Sequence, residues 1–440
     1  MLDVGFIRDN REEVIKNCQN RLAPQAEIDR SIELDDQRKA QLTQIQTLQQ
    51  RANDLAKQIP MQKDPTQKQQ LIAEGKSLRE QIAQLENEVK KIEENLKQAL
   101  MTIPNLTHPE APVGSTASDN HIVRRWGEPT TFSFPIKDHL TLAESLDLID
   151  MQAGANVTGQ KFYFLKNEGA LLEIALVQYA IQTLVREGYT PIITPDLAKI
   201  DVLEGIGFMP RDPNPETRQV YTISDTDLCL IATAEITLGG MHRDHIFQEA
   251  ELPKRYVGIS HCFRTEAGAP GRDTRGIYRV HQFTKIEMFA YCTPDQSEAL
   301  HREILAIEEK IFQGLNLPYH VLDTCTGDLG GPAYRKYDLE AWMPGRGELD
   351  PKTKLPRGEY GEVTSTSNCT DFQARRLNIR YRSPERKGNR FVHTLNGTAI
   401  AVTRAIVAIL ENNQQTDGSV IIPEVLRPWI GKDKIVVRSK

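Results

Sequence analysis

The stretch YVGISHCFRTEAGAPGRDTRGIYRVHQFTKIEMF, Tyr256–Phe289, decides how the chain is read. Two apolar and aromatic runs that read as β-strands flank a glycine-punctuated loop, so the segment predicts an antiparallel hairpin. Its loop and strand ends carry Arg264, Glu266, Arg272, Arg275, Arg279 and Glu287. Arginine suits a polyphosphate because its planar fork donates two parallel hydrogen bonds and keeps its charge. The carboxylates of Glu266 and Glu287 are suited to hold amino groups of whatever else is bound. An Arg/Glu-rich hairpin is more commonly a solvated, ion-paired surface. Here Phe263, Phe283, Ile286 and Phe289 interleave with the charges at strand spacing. Some of those charges therefore point inward, where a buried charge needs a partner.

Well upstream, residues 27–100 have another character: rich in Gln, Glu, Lys and Leu, with Gly75 as their single glycine. Apolar residues recur at three-four spacing in two blocks, Leu42, Ile45, Leu48, Ala52, Leu55, Ile59 and Leu71, Leu78, Ile82, Leu85, Val89, Ile92, Leu96. Pro60 and Pro65, between the blocks, interrupt the helix. The pattern predicts two long helices folded back into an antiparallel coiled-coil hairpin. Such a hairpin is commonly a dimerisation or spacer coil; the alternative is a lever that touches a large partner. Towards the tip, Arg51, Lys57, Lys63, Lys68, Lys76 and Arg79 outnumber Asp54, Asp64 and Glu74, whereas Glu86, Glu88, Glu93 and Glu94 gather nearer the base. That gradient favours a phosphate backbone at the tip.

With 440 residues and a mass of 49.8 kDa, the chain has room for a large core and an accessory domain. A formal net charge of −6 argues against indiscriminate polyanion binding. The N-terminus lacks the basic head and apolar run of a signal peptide, and no uninterrupted apolar stretch approaches the roughly 20 residues that span a bilayer. The six cysteines are scattered without a CxxC pair, so neither a sequence-local zinc site nor a disulfide framework is expected, and a cytoplasmic location fits. A nucleotide site, if present, uses neither a P-loop nor a Rossmann fingerprint, because both motifs are missing.

Residues 101–130, with Pro104, Pro109, Pro112 and Gly114, read as a linker. Beyond it, Leu171–Glu187 is an amphipathic helix, and GYTPIITPDLAK (Gly188–Lys199) is extended. TDLCLIAT, YVGISHCF, YRVHQFTKIEMFAYC and LPYHVLDT are further strand candidates. Hairpins without βαβ repeats predict an α+β fold, a mostly antiparallel sheet with flanking helices.

The helical hairpin, Thr233–Ala234–Glu235, the RTEAG…GRDTRG…RVHQFTKIEMF block, EVTSTSNCTDFQARR (Glu362–Arg376) and HTLNGTAIAVTRAIVAILENNQ (His393–Gln414) follow one another in this order. The series resembles the bacterial-type seryl-tRNA synthetases, a family of class II aminoacyl-tRNA synthetases, essentially from end to end. The resemblance implies an antiparallel catalytic sheet of six to seven strands, a tRNA-binding arm and a homodimer. It divides the chain into residues 1–110, an N-terminal tRNA-binding domain whose arm spans about 27–100, and residues 111–440, a catalytic domain with motifs 1, 2 and 3. Gly188–Leu197 is similar to motif 1, which would set Pro195 at the dimer interface.

By the same resemblance, ATP would be held by Arg264 at the α-phosphate, Glu266 at the adenine amino group and Arg279 at the outer phosphates, with Thr265 and Val280 beside them. Phe283 would stack on the adenine and Arg404 would cover its other face. Glu362, with Val363, Thr364 and Ser365, would hold Mg²⁺ and the phosphates; no zinc is expected. Arg264 and Glu362 would be the catalytic pair. Thr233, Ala234, Glu235, Glu287, Asn396 and Thr398 would bind L-serine. Departures from the family pattern are mild: Thr364 stands where serine is frequent, Thr398 where serine or threonine occurs, and Ala269–Pro270 in a loop that often has serine there. The implied partners are L-serine, ATP and tRNA(Ser), with tRNA(Sec) as a further acceptor and no membrane. Two rivals compete: an amino-acid-activating paralogue that loads a carrier protein, which would lack the arm, and a coiled-coil scaffold with an inactive nucleotide fold.

Overall fold

The computed structural model describes residues 1–208, 219–266 and 276–437. Arg272, Arg275 and Ala269–Pro270 of the hairpin loop lie outside the described residues. The chain divides into two compact units, Met1–Leu106 and Thr107–Lys440.

In the first unit, helix α1 (Ala26–Gln58) and helix α2 (Pro65–Thr102) form the long hairpin. Pro65 occupies the first turn of α2, where its missing N–H costs nothing. Asp64 caps that turn by accepting from Thr66 N at 2.8 Å and Gln67 N at 3.3 Å. The seam is narrow: Ile45, Leu55, Leu78, Val89 and Leu96 are buried, whereas Leu42 is exposed. At the base, the buried Asp35 collects three cations, Arg8 at 3.0 Å, Arg38 at 2.8 Å and Lys39 at 2.7 Å. This neutralises a charge that would otherwise be costly to bury. The six cations named for the arm are all exposed. Arg51 pairs with Glu74, while Lys63, Lys68 and Arg79 have no ion-pair partner among the described residues.

The second unit is built on strands β1 (His121–Trp126), β2 (Thr190–Ile193), β3 (Lys254–Phe263), β4 (Gln282–Cys292), β5 (Tyr319–Asp323), β6 (Arg335–Met343), β7 (Glu359–Asn368) and β8 (His393–Ala401). They form one eight-stranded sheet in the order β1–β5–β6–β7–β8–β4–β3–β2. All neighbours are antiparallel except β2, which runs parallel to β3. Alternation along β4 shows the two faces. Ile286, Met288, Ala290 and Cys292 enter the larger core beneath helix α3 (Glu168–Arg186), helix α5 (Ser297–Gly314) and helix α7 (Val402–Asn412). Phe289 and Tyr291 point the other way, into a smaller core with helix α4 (Ala234–Gly240) and helix α6 (Phe372–Leu377). Glu287 lies on that second face.

Three expectations need correction. The sheet has eight strands rather than six or seven, because the segment read as a linker contributes β1. Its exposed HIVRRW pattern lacks the apolar alternation that marks a half-buried strand. TDLCLIAT supplies only Leu228–Leu230, which pairs with Leu197–Lys199 in a separate ribbon. The extended segment Gly188–Lys199 therefore splits around Pro195 into β2 and that ribbon strand. Helix α3 is long and apolar enough by composition to cross a membrane, but Leu172, Leu176, Ala180 and Leu184 bury its apolar face in the core.

Candidate active site

Register across the sheet assembles the site. Asp338 on β6 faces Ser365 on β7, and Thr398 on β8 faces Glu287 on β4, which in turn faces Gly258 on β3. A side chain at Gly258 would meet Ala234 Cβ at 2.8 Å and Leu238 Cδ1 at 3.0 Å. The glycine thus lets α4 lie directly on the sheet and bring Thr233 and Glu235 over its centre. Thr233 caps α4, its hydroxyl accepting from Glu235 N at 3.2 Å. Ala234 is the contact with the sheet and is fully buried.

Two β-bulges lie in this floor. Between β6 and β7 the register shifts so that Leu339 faces Thr364 but Glu340 faces Glu362, leaving Val363 as the extra residue. Between β8 and β4 Thr398 faces Glu287 but Ile400 faces Ile286, leaving Ala399 extra. Each bulge re-aims the residues beyond it.

The floor opens into a cavity of about 660 Å³. On its β4 side Glu287 is 2% exposed; Thr398 Oγ1 donates to its Oε2 at 3.0 Å and Lys285 Nζ lies 2.7 Å from the same oxygen. Glu235 Oε1 accepts from Gln373 Nε2 at 2.8 Å and from Asn396 Nδ2 at 3.0 Å. Arg264 lies 5.4 Å over the Phe283 ring, and its Nε donates to Ala232 O at 3.4 Å. Arg404 Nη1 meets Glu362 Oε1 at 3.2 Å and donates to Glu362 O at 3.0 Å. Tyr278 ties the same carbonyl, its hydroxyl donating at 2.9 Å, while Arg404 and Arg346 lie 4.9 Å and 4.0 Å over its ring.

Of the residues expected at the site, Thr233, Glu235, Arg264, Phe283, Glu287 and Glu362 line the cavity. So do Val363, Thr364, Ser365, Asn396, Thr398 and Arg404. Glu266, Arg279 and Val280 line a small adjoining crevice, where Arg279 Nη1 lies 3.4 Å from Glu266 Oε2. Thr265 lines neither; its N–H donates to Gln219 O at 3.3 Å. The Thr364 hydroxyl donates at 2.8 Å to Glu308 of α5, so it is engaged beneath the sheet while Ser365 sits in the cleft-facing register. Burial pushes the Glu308 carboxyl well up.

Four groups escaped the sequence reading: Tyr278, Lys285, Gln373 and the pair Lys336–Asp338, whose Nζ–Oδ2 distance is 2.7 Å. For the last, opposite charges two residues apart in a strand were the available signal.

Electrostatics separates the two ends of the cleft. Burial alone would raise the Glu362 carboxyl; Arg404, then Lys336, Arg264 and Arg279, override it and hold it at about 2. Its side chain nevertheless keeps 42% of its surface open. For Glu235, burial first and the charge of Glu287 second push the carboxyl up to about 7 from 4.5. A raised carboxyl contributes stability that is whole below its unfolded value and is lost as pH rises through its folded value. Glu235→Gln, which does not titrate, should therefore gain stability relative to the wild type between about pH 4.5 and 7, by roughly 3 kcal/mol in all. Urea unfolding at stepped pH measures this; a difference that stays flat would mean that Glu235 is ionised when folded.

Comparison with known proteins identifies the family. The class II tRNA synthetase core domain model (G, H, P, S and T) matches residues 221–413, and the seryl-tRNA synthetase N-terminal domain model matches residues 1–107. The Serine–tRNA ligase of Treponema denticola is 53% identical over 435 residues, covering 99% of this chain and 100% of the relative. The chain belongs to the seryl-tRNA synthetases. Another of these synthetases, from Rubrobacter xylanophilus, is also 53% identical, with 99% of each chain covered. Among solved structures, the seryl-tRNA synthetase of Pyrococcus horikoshii complexed with ATP matches with a TM-score of 0.89 at 39% identity, covering 100% of both chains. The match runs over the residues of both units.

Proposed function

We propose that this chain activates L-serine with ATP to seryl-adenylate and transfers the seryl group to the 3′ end of tRNA(Ser). The observation that carries the reading is one cavity joining the buried Glu287 carboxylate to Arg264, Arg404 and Glu362. Glu287 is the clamp for serine's ammonium, and Thr233, Glu235, Asn396 and Thr398 surround its hydroxyl. A pocket built to hydrogen-bond a hydroxyl rejects alanine strongly, while lack of space must exclude threonine. Arg264 takes the α-phosphate, Arg279 the outer phosphates, Glu266 the adenine amino group, and Phe283 and Arg404 its two faces. The ionised Glu362, which lines the same cavity as Ser365, suits Mg²⁺, which prefers one or two carboxylates plus phosphate oxygens. Bound there with ATP, the ion supplies charge stabilisation at the phosphates.

In the first step serine's carboxylate oxygen attacks the α-phosphorus in line, and the bond to pyrophosphate breaks. The nucleophile is already anionic, so the chain contributes position and charge rather than a base. In the second, the terminal 3′-hydroxyl of tRNA attacks the activated carbonyl and AMP leaves. Residues 1–110 are the tRNA-binding domain in this reading and 111–440 the catalytic one. An arm that contacts phosphates reads shape, which supports tRNA(Sec) as a second acceptor. Ile193, 83% exposed on the open edge strand β2, and Ile174, 57% exposed on α3, support a homodimer through that edge. Six free, buried cysteines fit a reducing cytoplasm. ATP–pyrophosphate exchange across a panel of amino acids tests the function: serine should be the best substrate, and a better one would overturn the specificity.

A further inference from the structure

On the sheet, the residues given to ATP and serine occupy β4, β8 and β7, with the others on α4, α7 and the β3–β4 hairpin, but the cavity continues across β7 to β6. There its wall is Lys336, Ser367 and the loop Gly330–Ala333. A side chain added at Gly331 would meet nothing within 4 Å among the described residues, so the wall is low at that point. Lys336 is 20% exposed and its ammonium is held 2.7 Å from Asp338 Oδ2. Burial works to discharge it; Asp338 and Glu362 overcome this and raise its basicity above the ordinary lysine value. Asp338 is 5% exposed and also takes a side-chain hydrogen bond from Ser365, its partner across the β6–β7 ladder. A cation held by a carboxylate therefore stands in the part of the cavity beyond the strand residues given to ATP and serine, with Asp328 also on its wall.

Three strand spacings separate β6 from β4, which places Lys336 about 14 Å from the strand of Glu287. Resting on the proposed serine ligase reading, the third reactant is the end of a polynucleotide. Its 3′-hydroxyl must reach the serine carbonyl, and its own 5′-phosphate then sits one sugar ring further out. We propose that Lys336, pinned by Asp338, binds the phosphate of the terminal tRNA nucleotide. The lobe under Gly330–Ala333 is then the acceptor-end subsite. Lysine is a point charge for phosphate, and such contacts position the strand rather than read its bases.

The test uses full-length protein with Lys336→Met, Lys336→Arg and Asp338→Asn. Serine-dependent ATP–pyrophosphate exchange is the reference for each variant, because Lys336 also helps to hold Glu362 ionised, and it should fall less than transfer does. Single-turnover transfer from preformed seryl-adenylate to tRNA(Ser) should fall by about tenfold or more in Lys336→Met and in Asp338→Asn, and recover largely in Lys336→Arg. The dependence of log KM for tRNA on log salt should become shallower by about 0.7 in Lys336→Met, the loss of one single-strand phosphate contact. Transfer that remains normal overturns the inference. So does exchange that falls as far as transfer in both Lys336→Met and Asp338→Asn, which would assign the pair to the ATP phosphates or to the fold. Wild-type protein that fails to activate serine would instead sink the serine ligase reading.

Discussion

Arg264→Ala is expected to lower serine-dependent ATP–pyrophosphate exchange by about 10²–10³-fold, the usual cost of removing one charge-stabilising donor from a water-poor site. The side chain stands over Phe283 and is anchored to Ala232 O, so its guanidinium is already held in place at the cleft. Its loss also leaves Glu362 with one cation fewer, though Arg404 remains its nearest partner. The fold should survive, because Arg264 lies outside both apolar cores. Unchanged far-UV circular dichroism and melting temperature beside the lost exchange would make the effect catalytic. Near-normal exchange would remove Arg264 from the α-phosphate.

Excision of the outer arm should produce the opposite split. Gln41 Nε2 donates to Glu88 Oε2 at 3.2 Å, so the two helices are in register there. Residues 42–86 can therefore be replaced by a short turn that leaves the Asp35 cluster and the buried Leu96 and Leu100 intact. All six named arm cations go with the deletion. Their loss should reduce kcat/KM for tRNA(Ser) by about 10³ at near-physiological salt. Serine activation should stay within about twofold. Unchanged tRNA charging would refute the arm as a tRNA reader, and parallel loss of exchange would make it part of the catalytic fold. The same experiment separates the carrier-loading rival, for which the arm has no task.

The parts legible in the sequence were those whose pattern is local. The arm announces itself because burial repeats along each helix: Ile45, Leu55, Leu78, Val89 and Leu96 are all positions of the three-four pattern. Strand β4 announces itself by alternation. What remained hidden depends on pairing between distant segments. Strand β1 is exposed along most of its length and carries no period, and β2 pairs parallel, which no hairpin spacing foretells. Lys336 and Asp338 read as an ordinary charged strand until β7 is laid beside them. Thr364 and Ser365, adjacent in the chain, serve opposite faces of the sheet, and only the partner across the sheet says which serves which.

The two bulges set a counting rule on this enzyme's descent. Strand geometry repeats every second residue, yet Glu362 and Ser365, like Thr398 and Ala401, are three apart and line the same cavity. Val363 and Ala399 supply the odd step in each case. Both are buried in the larger core, so packing limits their size while the register needs only that one residue stands there. A one-residue deletion at either would turn everything on one side of it towards the opposite face. The length of this stretch is thus a structural constraint in its own right, separate from the identity of the residues that fill it.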